Sequence, residues 1–479
     1  MKRNITILIS VLVMLLMPFF SSPLSREAMF VLGVFLGTLI LWLNISIDWP
    51  SILCLMMLGF VPSIGINNVL KSSFGNNTIM FLMMTFILTY ALSKTSYIKR
   101  VALFFIDGKL AKKSPWFFVS LFFLSIIVIG CFISPTVLFI VYLPILETIL
   151  ALLQVEKGEK LGGMLMMGLV FCSAISSGMT PIAHVFPLIS MGLIEKTLKI
   201  SVSYATYMGF AIPVGILVFL LMLLMFRYIY RPDIEKLQNV NVDFLRKEVS
   251  QSSTQEKIVL LIFVGVIVLW VLPGFIKPFV GGGILSLITR LDKMTTAFPP
   301  MLGVSLLFII QIDNKPLLEF KEAMSKGVLW SAIIMCSATL ALGSALTSKD
   351  IGITTYVTTT LIPIFKGISP LLLILIFVAW SAIQTNLSSN MVTATLVTGI
   401  VLTVFGNNDL GINVVALCLL VGMMSSYAFA TPPAMPSVAV AISSGYTKTK
   451  EIMYYGFLLM FIAIIISVSV GYYLANLLV

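Results

Sequence analysis

The residues with the most chemistry to offer stand in four short stretches of an otherwise apolar chain. They are the run Ser134, Pro135, Thr136, the run from Ser173 through Thr180 to His184, the pair Ser389 and Asn390, and the run around Pro432, Pro436 and Ser437. His184 is the single histidine among 479 residues, so a histidine-rich metal centre is excluded by count. None of the four stretches contains Lys or Arg. They offer hydroxyl and amide hydrogen bonds instead, together with prolines that interrupt helices. A helix cut inside a bilayer exposes unsatisfied N–H groups where its second piece begins, with about half a positive charge from the macrodipole. Four such ends sum to roughly two positive charges, the complement of a dianion. The alternative is that Ser, Thr and Pro only kink helices for packing.

Those stretches need elements that hold them within a membrane. With 59% hydrophobic and 10% charged residues and a mean hydropathy of +1.09, the chain has too little polar surface for a soluble fold of its size. Many runs approach the ~20 apolar residues that cross a bilayer. Backbone groups in lipid must bond within their own segment, and these runs do not alternate as barrel strands would, so the spans are helices. The expected fold is an all-α polytopic membrane protein with about 11 transmembrane helices and two re-entrant hairpins. Spans are expected at roughly 5–20, 27–46, 49–63, 77–93, 162–180, 203–227, 257–273, 297–312, 328–346, 411–431 and 452–477. Two further apolar pairs, 115–153 and 354–405, each carry a polar break.

A net charge of +11 suggests nucleic acid until its distribution is considered. With both pairs re-entrant and the N-terminus cytoplasmic, 21 of the 30 Lys and Arg fall on inward loops and 9 on outward ones. That asymmetry is topological, and the basic charge faces anionic headgroups rather than nucleic acid. The expected location is the plasma membrane, multi-pass, with the C-terminus external. The apolar opening lacks a clear cleavage site and is read as a retained first helix. Five cysteines in apolar runs, without paired spacing, read as buried thiols. The glycine-rich stretch 281–293 reads as an external loop or short surface helix.

An internal repeat is visible. Each half carries a hairpin tip, within 131–145 and 386–397, followed by a span interrupted by small residues, hydroxyls and proline, within 173–184 and 425–446. Corresponding interrupted segments in two halves point to a transporter site at the midplane.

At these residues the chain resembles the divalent-anion:sodium symporter family, the transporters of dicarboxylates, citrate and sulfate. The stretch from Ser426 to Tyr446 matches a family pattern at Ser426, Phe429, Pro432, Pro436, Gly445 and Tyr446, and 320–346 is similar to the segment entering the span before the second hairpin. The family's Ser-Asn-Thr tips stand here as Ser134-Pro135-Thr136 and Ser389-Asn390-Met391. The resemblance implies a homodimer in which a scaffold, 1–114 and 257–350, carries an elevator-like transport domain, 115–230 and 351–479, with 231–256 as a cytoplasmic linker. It implies substrate contacts at Ser134, Pro135, Thr136, Thr180, His184, Ser389, Asn390, Pro432, Pro436 and Ser437. A sodium site, if present, would involve Ser134, Ser177, Gly178, Asn390, Ala430 and Pro432.

The sequence departs from the family where sodium would bind. Pro135 stands for an Asn, Met391 for a Thr, His184 for a hydroxyl residue, Met435 for a Thr and Val438 for an Asn. Sodium is a hard cation that takes oxygen ligands, so these changes remove several at once. The expectation is therefore a carrier of C4 or C5 dicarboxylates that works without sodium, by exchange or with protons, and that holds no other cofactor. An imidazolium at His184 would then supply the missing positive charge; the alternative is a neutral ring. A sodium-coupled dicarboxylate or sulfate symporter is the main rival. An anion channel needs a continuous polar pore, and the polar residues cluster in two midplane regions instead. No H-E-x-x-H, G-x-S-x-G or G-x-x-x-x-G-K-[ST] run occurs, so neither an enzyme nor an ATP-driven pump is expected.

Overall fold

The computed structural model describes residues 2–108, 110–182, 184–239, 252–276, 297–365, 367–406, 410–432 and 434–479. Helices α1 (Lys2–Leu16), α2 (Arg26–Asn44) and α3 (Trp49–Gly59) lead into α4 (Gly65–Ser72), α5 (Asn77–Ser93) and the short α6 (Tyr97–Ile106). A hairpin of α7 (Pro115–Gly130) and α8 (Pro135–Leu152) follows, then a cut span, α9 (Lys160–Met179) and α10 (Val185–Leu198), then α11 (Tyr204–Leu224). Next come α12 (Thr254–Ile276), α13 (Phe298–Ile309) and a small ribbon, β1 (Gln311–Ile312) antiparallel to β2 (Lys315–Pro316). The second half runs α14 (Trp330–Leu346), α15 (Ile353–Phe365), a hairpin of α16 (Pro370–Leu387) and α17 (Asn390–Phe405), a cut span of α18 (Val414–Met424) and α19 (Pro436–Ser443), and α20 (Thr449–Ile466).

The order α5, α6, hairpin, cut span, α11 thus recurs as α14, α15, hairpin, cut span, α20. Both hairpins open with the same chemistry. Ser114 and Ser369 cap the backbone nitrogens of Phe117 and Leu372, and Pro115 and Pro370 take the first helical position, where a missing N–H costs nothing.

The chain is a nearly all-helical polytopic membrane protein. Among the described residues, six helices are long and apolar enough to cross a bilayer alone, or eight spans if two bent pairs are each counted as one. Most remaining apolar helices have 10–17 residues, which is short for a ~30 Å crossing and suits hairpin arms and half-spans.

Several expected boundaries change. The expected hairpin 354–405 is three helices: α15 stands apart, and the hairpin proper begins at the Ser369 cap. The stretch 94–114, left between an expected span and the first hairpin, contains α6, the counterpart of α15. The expected span 411–431 stops at Met424, and 297–312 gives way to the ribbon after Ile309. In each case a polar or proline-bearing run ends the helix before the apolar composition does. The stretch 281–293 and the linker residues 240–251 lie outside the described residues.

The cut spans form the centre of the molecule. Every residue of α9 from Leu161 to Met179 is buried, as are Val415 to Met424 of α18 and Val185 to Ile194 of α10. Small residues permit this close packing: a Cβ added at Gly178 would lie 2.7 Å from the Tyr427 ring. A separate apolar cluster joins α1–α4 to α14. All five cysteines are buried free thiols.

Candidate functional site

Each expected tip and break starts a helix. Ser134 is the N-cap of α8, with Pro135 at its first position and Thr136 next; Ser389 caps α17, with Asn390 first. His184 caps α10, and Pro436 and Ser437 open α19 beyond the break that holds Pro432. The helices that begin at these ends pack in crossed pairs. The second piece of each cut span packs on the other repeat's hairpin: α10 against α17, and α19 against α8. Ser190 on α10 and Thr398 on α17 share a buried hydrogen bond of 2.8 Å.

Within each repeat, the tip is tied to the break by the same device. Thr180 donates its hydroxyl to the carbonyl of Cys131, three residues before Ser134. Thr431 donates to the carbonyl of Asn386, three residues before Ser389. In the second repeat the tie is stronger. The Oδ1 of Asn386 accepts from the amides of Phe429 at 2.8 Å and Ala430 at 2.9 Å, and its Nδ2 donates to the carbonyls of Ala382 and Tyr427, both at 2.9 Å. Four hydrogen bonds from one amide side chain exhaust its capacity, and they satisfy backbone that the break leaves open. Thr385 lies 2.9 Å from Asn390 Oδ1 and 2.7 Å from the Ser425 carbonyl.

The two breaks also touch. The end of α9 at Gly178 sits against Met423, Ser426 and Tyr427 at the end of α18. Tyr207 of α11 donates its hydroxyl to the Gly178 carbonyl at 2.7 Å. Beside them the hydroxyls of Ser426 and Tyr427 are buried without a partner, as is that of Ser437.

Two of the oxygens implied for a sodium site already accept one hydrogen bond each, with a second lone pair left on both. The Gly178 carbonyl accepts from Tyr207, Ser177 Oγ donates to the Ala174 carbonyl at 2.7 Å, Asn390 Oδ1 accepts from Thr385, and the Ala430 amide donates to Asn386. Among the described residues no group of three or more His, Cys, Asp or Glu is placed to hold a metal ion.

The family model described as the sodium:sulfate symporter transmembrane region matches residues 1–479, the whole chain. The chain belongs to that family. It is 26% identical to a protein of Staphylococcus saprophyticus named sodium-dependent dicarboxylate transporter SdcS, over 96% of this chain and 89% of that one. A Staphylococcus aureus protein of the same name is 24% identical over 95% of this chain and 87% of its own. An uncharacterized transporter of Haemophilus influenzae is 23% identical over 76% of this chain and 74% of its own.

In this member of the family, Ser134, His184, Ser389 and Pro432 are half-buried and Thr136 and Pro436 exposed, whereas Pro135, Thr180, Asn390 and Ser437 are buried. His184 Nδ1 accepts from the backbone nitrogen of Val185 at 3.1 Å. This cap needs an Nδ1 without a proton, so a neutral ring with its proton on Nε2 can make it and an imidazolium would have to give it up. The Phe186 ring lies alongside, with centroids 3.9 Å apart. Sequence reasoning missed Asn386, Tyr207 and Tyr427. For Asn386 a signal existed: an amide at the end of an apolar run, four residues before Asn390 on the other hairpin arm, is costly in a membrane unless it has work to do. No comparable signal marks the two tyrosines, because only packing brings them to Gly178.

Proposed function

We propose that this chain is a secondary active transporter of C4 and C5 dicarboxylates, such as succinate, fumarate, malate and 2-oxoglutarate, and that it works by exchange without sodium. One observation carries the reading: four helices begin at two tips and two breaks, each tip is bonded to its own break and the two breaks touch, with no lysine or arginine in those runs. Such ends favour an anion with two separated charges, one carboxylate for each crossed pair. Hydroxyls at Ser134, Thr136, Ser389 and Ser437, the amide of Asn390 and the free Nε2–H of His184 would complete the hydrogen bonds, with Pro135, Thr180, Pro432 and Pro436 shaping the cradle.

Sodium independence is supported by the side chains that would be ligands. Pro135 and Met391 bring no hard oxygen from their side chains. The sodium-coupled reading is favoured by one fact, that the staphylococcal relatives are named sodium-dependent. Backbone carbonyls would then have to replace the missing side chains.

Movement would follow an elevator scheme, with 1–114 and 257–350 as scaffold and 115–230 and 351–479 as the moving part, in a homodimer whose N-terminus is cytoplasmic. An apolar cavity of about 260 Å³ between α2 and α14 on one side and α10 and α17 on the other supports a boundary able to slide. The test is labelled succinate counterflow in liposomes, preloaded with unlabelled dicarboxylate, with and without sodium. Exchange that persists in sodium-free buffer is expected; strict sodium dependence sinks this reading in favour of symport.

A further inference from the structure

At the opposite end of α10 from His184, the turn before α5 and the last turn of α10 border an open polar cavity of about 350 Å³ at the surface. Lys71, Asn76, Asn77, Glu195, Lys196 and Lys199 line it. Three ammonium groups and one carboxylate therefore share a small space. Among the described residues, no ion pair within 4.0 Å neutralises any of the three lysines. Lys199 donates instead to the carbonyl of Lys196 at 3.0 Å, which masks the negative end of α10. The other wall is the start of the 17-residue α5, where Asn76 caps Thr78 at 2.8 Å and the helix dipole adds positive charge. The cavity continues into a narrower hollow lined by Thr78, Gly192 and Ser201.

We infer that this cavity is a docking vestibule for the free dianionic substrate, distinct from the cradle at the breaks. The inference rests on the reading that the chain carries dicarboxylates. Like charges gathered in one cleft raise the local concentration of a multivalent counter-ion, and the effect weakens with salt. From Lys196 back to His184, α10 advances about 18 Å at 1.5 Å per residue. An anion held at the lysines thus waits one half-span from the cradle, on the face of the membrane where α11 begins. A phosphate headgroup of an anionic lipid presents the same chemistry, so the test separates the two sources.

The experiment measures initial succinate uptake at low and high salt, in liposomes of phosphatidylcholine alone and in liposomes containing phosphatidylglycerol. It compares the wild type, the triple variant Lys71→Gln, Lys196→Gln, Lys199→Gln, and the triple Lys→Arg control. In both membranes the Gln variant is expected to raise KM about three- to tenfold at low salt, with kcat within about twofold. Its uptake should lose the salt sensitivity of the wild type, and the Arg control should restore both. An unchanged KM and salt response overturns the inference while leaving the transport reading intact. A change confined to phosphatidylglycerol membranes also overturns it, because the cavity then holds a lipid headgroup. A wild type that moves no dicarboxylate defeats the transport reading first and takes the vestibule with it.

Discussion

The Oδ1 of Asn386 lies 2.8 Å from the backbone nitrogen of Phe429, so a hairpin side chain closes the open backbone of the second break. The same oxygen takes the Ala430 amide, and the side-chain nitrogen serves two carbonyls. Replacing Asn386 with Leu takes this partner from the Phe429 and Ala430 amides and the Tyr427 carbonyl, at about 1–3 kcal/mol each; the Ala382 carbonyl keeps its helical bond. Thr385→Val removes one donor and should cost only about 1–2 kcal/mol. Thermal unfolding of the purified proteins should therefore rank wild type, Thr385→Val, Asn386→Leu, with the last poorly recovered. Equal melting of Asn386→Leu and wild type would remove Asn386 from its central place.

Tyr207 has a different role, because its hydroxyl takes a carbonyl that the family resemblance assigns to a cation. Tyr207→Phe frees the Gly178 oxygen while keeping the ring. Sodium should stimulate exchange more in this variant than in the wild type, and adding Pro135→Asn and Met391→Thr should enlarge the effect. Uptake in sodium against choline buffer is the readout. No sodium response in the triple variant would mean that these three positions are not what sets ion dependence.

The approach of α7 to the first cut span depends on Gly130. A Cβ there would fall on the Ser176 hydroxyl and lie 2.8 Å from Leu138. Gly130→Ala therefore forces the first hairpin away from α9 and should destabilise the protein by about 1–3 kcal/mol. Gly265, where an added Cβ meets nothing within 4 Å, supplies the control. Gly265→Ala should melt at or above the wild-type temperature.

The turn before α9 offers a pH test. The Glu156 amide, at 2.7 Å, and the Lys236 ammonium, at 2.9 Å, hold the Glu159 carboxylate below its ordinary value near 4.5. A carboxylate lowered in the folded state contributes stability that is present above its unfolded value and lost as pH falls through the folded one. The wild type should lose this contribution below about pH 4.5, whereas Glu159→Gln lacks it at every pH. Melting temperatures from neutral pH downward should converge for the two proteins at the acidic end. Parallel curves would show that the tether does not hold the start of α9.

Much of the architecture is written locally. Ser114-Pro115 and Ser369-Pro370 are start signals wherever they occur, since a cap and a fixed φ act within a single turn. The tips at Ser134 and Ser389 and the break ending at His184 are legible for the same reason. The bounds of the second hairpin were not, because α15 is as apolar as its neighbours and composition alone cannot separate an independent helix from a hairpin arm. His184 shows the same limit at one residue. Its position at a break is plain from the chain, but its cap on the Val185 amide is a hydrogen bond whose geometry forms only when α10 does.

Membrane residence, two related halves and a cut helix in each half are legible along the chain, because hydropathy and helix interruption are properties of contiguous residues. Tertiary structure alone decided that α10 packs on α17 and α19 on α8, that Asn386 closes the second break, and that Tyr207 claims Gly178. These partners are 29 to 43 residues apart or in different halves. Which hydroxyl meets which carbonyl therefore depends on how whole helices cross, and no local run of residues encodes that crossing.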